Sequence, residues 1–354
     1  MRKYVITVLL ALVALATSAC SEKGGVKGSK ISYSEFNEWY TSKVSSDSGD
    51  ITQTIEADIN ADLVFKTSST QMLGTTVPGS DVNSNYKIKY IVKSDNDTSY
   101  TVIDTTEYNK NTKESCVSRE EQYLDLNTGR AYSHKGDAAG TDFDKLVYGY
   151  WSATDTELTN TSALEGMTQL TDLMSLDKLT ETYSDLFNNL AVVSVDNESY
   201  YITIDCKLIE LWNAMKISQS AEEIIKATVQ ETYGQQNVQI DIEKILPAKR
   251  VLGDGRVFIQ FKLNKETVYP MEVDVSIKDF NFERADVAEA NTIFALIPIT
   301  KLSVNGDSLL HAKVYNSVNN DVSVPEQLRS IEPESFDGGI YNIWQQMEKE
   351  MTGE

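Results

Sequence analysis

"RVFIQFKLNKETVYPMEVDVSIKD" (Arg256–Asp279) is the stretch that decides the fold class. Val257, Ile259, Phe261 and Leu263 alternate with Arg256, Gln260 and Lys262. After a turn, Met271, Val273, Val275 and Ile277 alternate with Glu272, Asp274, Ser276 and Lys278. A period of two means a strand that buries one face and wets the other. Two such strands joined by a short polar turn form an antiparallel hairpin, the arrangement in which one-sided burial is the rule.

The same pattern recurs on both sides. Tyr86, Ile88, Tyr90 and Val92 alternate with lysines, and "SDND" (94–97) turns the chain into "SYTVIDTTEY". "EEQYLDLNTGRAYSHKGD" (120–137) is a second hairpin, turning at Asn127–Gly129, and "KLVYGYWSA" continues as an aromatic strand. "ITQTIEADINADLVF" (51–65), "SYYITIDCKL" (199–208) and "NVQIDIEKI" (237–245) also read as strands. Two more are expected at 295–304 and 310–318, and Pro325 carries the chain off the sheet. Within the body of the chain, helical spacing is limited to Tyr33–Val44, 163–190 and 207–234, the last ended by Gly234. Many one-sided strands with a few helical blocks give an α+β class. No fixed repeat or long linker divides the body.

The N-terminus fixes the compartment. Arg2 and Lys3 precede an apolar run to Ala16, followed by small residues and then a cysteine: "TSAC" (17–20). This is the order of a secretory signal peptide. The cysteine makes it resemble a lipobox, with Thr17 standing where leucine is usual. Cys20 would then be the first mature residue and carry a diacylglyceryl anchor. The apolar run is shorter than the roughly 20 residues a spanning helix needs. The expected organisation is a signal peptide at 1–19, a glycine-rich tether at 20–32, one large domain at 33–332 and a tail at 333–354. In the tail, Ile340, Ile343, Trp344, Met347 and Met351 fall on one helical stripe. The expected location is the outer face of the bacterial cell membrane, or the outer membrane in a Gram-negative source.

The net charge of −21 becomes about −23 once Arg2 and Lys3 leave with the signal. Such acidity disfavours nucleic acid and anionic lipid as partners, which leaves Cys20 as the membrane link. Cys116 and Cys206 form an even pair that permits a disulfide in an exported chain, the alternative being two buried free thiols. Catalytic signatures were sought without success. Neither His134 nor His311 accompanies a nucleophile elbow, no cysteine or histidine spacing fits zinc, and "GDG" (253–255) lacks the helix and lysine of a phosphate loop. "DNDTS" (95–99) lacks the glycine and the final acid of a calcium loop. No enzyme activity, cofactor or metal is expected.

The order of these features resembles the LolA/LppX-like bacterial lipoproteins, in particular their poorly characterised Gram-positive relatives. The resemblance runs from about Tyr33 to Leu328. It is carried by the lipobox, the opening helix, the aromatic hairpin with "YGYW" and the helical block before "SYYITID". The hairpin at 256–275 and the closing "HAKVYNSVNNDVSVPEQL" complete it. The resemblance implies a large curved antiparallel sheet, an open half-barrel covered on one side by helices, whose hollow holds an acyl chain or a lipidated protein. Residues of the apolar strand faces and helical blocks would line such a hollow: Met167, Met174, Met215, Met271, Val273, Ile259 and Phe261. The expected function is a membrane-anchored binding or carrier module for a hydrophobic ligand such as a lipid. The alternative is an envelope lipoprotein with a filled core that binds another protein.

Overall fold

The computed structural model describes residues 28–44, 52–72, 75–77, 79–95, 97–155, 184–216, 247–284, 299–317 and 322–332, with isolated positions between 218 and 244. The first elements are β1 (Ser29–Ile31), α1 (Tyr33–Val44), β2 (Thr52–Thr67), a small hairpin of β3 (Thr70–Met72) and β4 (Thr75–Val77), β5 (Asp81–Ser94) and β6 (Thr98–Asn109). Next come β7 (Glu114–Asp125), β8 (Arg130–Ala139), a 3-10 turn (Phe143–Lys145), β9 (Val147–Tyr148) and β10 (Ser152–Asp155). The second half has α2 (Ser184–Leu190), β11 (Ala191–Val195), β12 (Ser199–Lys207), α3 (Leu208–Ala214), α4 (Ala248–Leu252), β13 (Arg256–Asn264), β14 (Val268–Glu283), β15 (Ile299–Ser317) and α5 (Glu326–Arg329).

Thirteen strands form one antiparallel sheet in the order β1-β11-β12-β13-β14-β15-β2-β5-β6-β7-β8-β10, with β9 beside β10 on the outer edge of β8. Five of its hairpins turn by one device. Asp95, Asn109, Asp125, Asp196 and Asn264 each accept two backbone N–H groups from the residues that follow. Short carboxamide and carboxylate side chains close turns in this way. Gly129 adds a positive φ of 66° where β7 returns as β8.

The register separates the two faces. On the first face one row reads Ile202, Phe261, Val273, Ala312, Ala57, Tyr90 across β12 to β5. All six are buried, and Phe36 and Tyr40 of α1, Phe187 of α2 and Leu208 and Leu211 of α3 join the same core. Ser32 caps α1 by accepting the Glu35 N–H at 3.1 Å. On the second face the matching row is Gln260, Asp274, His311, Asp58, Lys89, Asp104, Arg119, each directly opposite the next. The alternation seen in sequence is thus one face of packed hydrocarbon and one of opposed charges.

Two expectations about strands are corrected. The described parts of the strands expected at 295–304 and 310–318 belong to one strand, β15 (Ile299–Ser317), whose register against β2 slips between Asn305 and Leu310. Gly306 sits in that irregularity, where a Cβ would lie 2.7 Å from the Asn60 carbonyl oxygen. Conversely, "KLVYGYWSA" is not one strand. It divides into β9 and β10 around Gly149–Trp151. Of the helical blocks, 184–190 and 208–214 are helix, whereas 163–183, most of 217–234 and the strand expected at 237–245 lie largely outside the described residues.

Candidate binding surface

The first face does not stay apolar across the whole sheet. The row through Tyr90 continues as Ile103, Glu120 and Lys135 on β6, β7 and β8. The row of Leu263, Met271, Val314, Ile55 and Val92 continues as Thr101, Gln122, Ser133 and Ser152. The row of Ile259, Val275, Leu310, Ile59 and Ile88 continues as Thr105, Ser118 and Asp137. One face therefore changes from hydrocarbon to hydroxyl, amide and charge at the β5–β6 boundary.

The seam carries buried polar atoms. Tyr90 and Thr101 are each 2% exposed, and their hydroxyls lie beside one another without a well-aligned partner among the described residues. Burial raises the Tyr90 phenol well above its usual range, so it stays a neutral donor. Lys135 and Glu120 lie 3.5 Å apart on the polar side.

At one end of this polar half a cavity of about 530 Å3 opens between the β6–β7 and β8–β9 connections. Glu107, Asn109, Glu114, Cys116 and Gly140 are among its lining residues. The Glu107 carboxylate accepts hydrogen bonds from the Ser84 and Tyr86 hydroxyls, both at 2.9 Å, and the Cys116 thiol lies 3.7 Å away. Burial and the neighbouring Glu107 charge push the Tyr86 phenol up, so it also remains a donor.

The proposed lining residues fall elsewhere. Ile259, Phe261, Met271 and Val273 are no more than 3% exposed and sit inside the packed core on β13 and β14. Met215 packs partly buried against that core at the end of α3. Met167 and Met174, like Cys20 and the tail, lie outside the described residues. The disulfide is corrected: Cys116 and Cys206 are not joined in a bridge. Cys116 is on β7 and Cys206 on β12, with six strands between them, whereas a bridge needs Cα atoms within about 7 Å.

Sequence reading missed the seam. It scored each strand alone, and β6 to β8 alternate weakly because neither of their faces is purely apolar. The signal was present in the threonines and serines of "YTVIDTT" and "CVSREEQ", but only register places them beside Tyr90 and Ile88.

On the second face these same strands carry aromatic side chains. The tilted rings of Tyr100 and Tyr123 lie 4.5 Å apart, and His134 lies 4.4 Å from Tyr148 and 4.5 Å from Trp151. Both His134 ring nitrogens are buried without a hydrogen-bond partner among the described residues. Tyr132, Ala153, Val324 and Leu328 form a second small core there, so the segment around α5 packs on the opposite side of the sheet from α1. Among the described residues no group of acidic, histidine or cysteine side chains could hold a metal, and no helix is long and apolar enough to cross a membrane. Compared with known proteins, the chain matches no family model and no curated sequence.

Proposed function

We propose that this chain is an exported bacterial lipoprotein, anchored through Cys20, whose sheet is a non-enzymatic binding or carrier module for an amphiphile such as a lipid. The observation that carries the reading is the seam on the first face. Hydrocarbon ends at Tyr90 and Ile103, and polar groups begin at Thr101, Gln122 and Glu120. An acyl chain and its polar head need those two surfaces in contact. The neighbouring hydroxyls of Tyr90 and Thr101 would supply partners for the head, and the cavity at Glu107 gives room at one end. In this reading the sheet curves as a half-barrel closed on one side by helices, and the ligand lies nearer β5 to β8 than β13 and β14.

The test is native mass spectrometry of protein lacking its own anchor, with titration by a fluorescent fatty acid. Co-purifying lipid or saturable binding is expected. Their joint absence would overturn the carrier reading.

A second reading has its own observation. Ile259, Phe261, Met271 and Val273 are buried in one core with side chains of the helices. This favours an envelope lipoprotein with a filled core that meets another protein. Binding titrations separate the two, and globomycin treatment tests the Cys20 anchor that both require.

A further inference from the structure

A run of rings crosses the second face over β6, β7, β8 and the connection from β9 to β10. Tyr100 and Tyr123 lie 4.5 Å apart, Tyr123 and Trp151 6.0 Å, Trp151 and His134 4.5 Å, and His134 and Tyr148 4.4 Å. The first four are half-buried, and Tyr148 is 41% exposed. Tyr150, next to Trp151 in the chain, is 98% exposed. The end of the run is set by a glycine. Three atoms of the Tyr148 ring come within 2.8, 2.9 and 3.0 Å of where a Gly136 Cβ would stand. Only a strand residue without a side chain lets the ring lie across β8 at that point.

The rings are interleaved with charge. Glu121 stands directly opposite His134, and Arg119, held on Asp104, stands directly opposite Gly136. Burial, and then the Glu121 charge, raise the Tyr100 and Tyr123 phenols, so both remain hydroxyl donors. The core of a protein–protein interface is depleted in charge, so this mixture does not suit a second protein. It suits a molecule with apolar C–H faces and hydroxyl rims, which is a sugar. The net charge of −21 repels an anionic polymer and favours a neutral one. Position agrees. β1 and β10 stand at the two ends of the sheet path, so roughly 50 Å of sheet separates them at about 4.8 Å per strand. With the proposed Cys20 anchor, β1 is the strand nearest the membrane link, and the rings are carried at the other edge.

We propose that the rings from Tyr100 to Tyr148 form a stacking platform for a neutral glycan chain. The C–H faces of its sugars lie on Tyr148, Trp151 and Tyr123, and its hydroxyls meet Glu121 and the Tyr100 phenol. The platform is on the opposite face from the seam and works whether or not the first face binds a lipid.

The test is calorimetric titration of the full-length chain, in a detergent without sugar head groups, with neutral chitotetraose and with anionic tetragalacturonate. Saturable binding of chitotetraose alone is expected. Tyr148→Ala should weaken it about tenfold, the upper end for loss of one ring contact. Tyr148→Leu, which keeps an apolar side chain over Gly136, should weaken it alike. Tyr108→Ala removes a ring of equal exposure, 41%, outside the run, and should leave binding unchanged. Fatty-acid binding should be the same in all four proteins. No chitotetraose binding by the parent, equal binding of both tetrasaccharides, or undiminished binding by the Tyr148 variants overturns the proposal. Without glycan binding, a dimer that Tyr148→Ala splits in sedimentation would assign the rings to a second copy. Protection of Tyr150 from hydroxyl radicals in phosphatidylcholine vesicles would instead assign them to the bilayer.

Discussion

Arg119 on β7 grips Asp104 on β6 through two parallel hydrogen bonds, Nε to Oδ1 at 2.6 Å and Nη2 to Oδ2 at 2.7 Å. The pair ends the row of opposed charges that runs from Asp274 across β15, β2 and β5. A planar fork on a carboxylate fixes register in a way a point charge cannot. Arg119→Lys keeps the charge and loses the fork. Allowing for the part of the pair that solvent screens, the expected cost is about 1 kcal/mol in urea unfolding. An unchanged midpoint would show that the pair follows the register and does not help set it.

Gly306 tests the irregularity in β15. A side chain there meets the Asn60 carbonyl oxygen at 2.7 Å and Leu309 at 3.3 Å, both backbone positions that cannot swing aside. Gly306→Val is expected to destabilise by about 2 kcal/mol. Gly149→Ala is the control, since its nearest neighbour would lie at 3.7 Å, and its midpoint should move by less than about 0.5 kcal/mol. Similar effects for both variants would mean that the bulge tolerates a side chain.

The two thiols should differ in reactivity. Cys206 is 4% exposed. Burial, and then the Glu210 and Asp205 carboxylates, push its pKa up to about 12. Its thiolate fraction at pH 8 is then on the order of one in ten thousand. Cys116 sits at the cavity wall, half-buried. Iodoacetamide followed by peptide mapping should label Cys116 in the folded protein and Cys206 only after unfolding. Labelling of both at one rate contradicts the burial of Cys206.

Acid should weaken the fold through a few named carboxylates. The Lys110 ammonium holds Asp62 below its usual pKa against the effect of burial. Burial alone would raise Glu272, but Lys262 and Lys313 more than offset it and leave it lowered. Because these folded values lie below the unfolded ones, the stabilisation is complete above about pH 4.5 and is lost as pH falls through the folded values. Urea midpoints should stay level from pH 7 to 5 and drop towards pH 3. Glu272→Gln removes one contributor and should flatten that drop. An identical acid limb in the variant would place the pH dependence elsewhere.

Strands with one apolar face were legible from spacing alone, because Val257 to Leu263 and Met271 to Ile277 each bury a pure set. α1 was legible for the same reason, through Phe36 and Tyr40. What spacing could not supply was partnership. Nothing in "YTVIDTTEY" shows that Thr101 lies opposite Val92 and Thr105 opposite Ile88, since that depends on hairpin register. Nor could spacing tell that Asn305–Asp307 is a bulge inside one strand, because a polar, glycine-containing break reads the same whether the chain turns or continues. The even cysteine count suggested a bridge only because it carries no information on where two strands stand in the sheet order.

Tyr90 offers the sharpest test of the seam. Its ring belongs to the core, and its hydroxyl is buried beside that of Thr101 with no well-aligned partner among the described residues. Tyr90→Phe keeps the ring and removes the hydroxyl, and Thr101→Val does the same for its neighbour. An unsatisfied buried hydroxyl costs about 1–3 kcal/mol, so each change should leave the unliganded protein as stable as before or raise its stability by about 1 kcal/mol. If a ligand head accepts from these hydroxyls, the same changes should weaken fatty-acid binding about fivefold, the equivalent of one neutral hydrogen bond. Phe261→Ala provides the contrast. It should cost about 3–5 kcal/mol as a core cavity, with no comparable loss of affinity while the protein stays folded. Gain in stability together with loss of binding is a combination that a purely structural tyrosine does not give. A Tyr90→Phe protein destabilised by more than about 1 kcal/mol would mean that the hydroxyl is satisfied within the chain, and the seam would then lose its claim to hold a polar head.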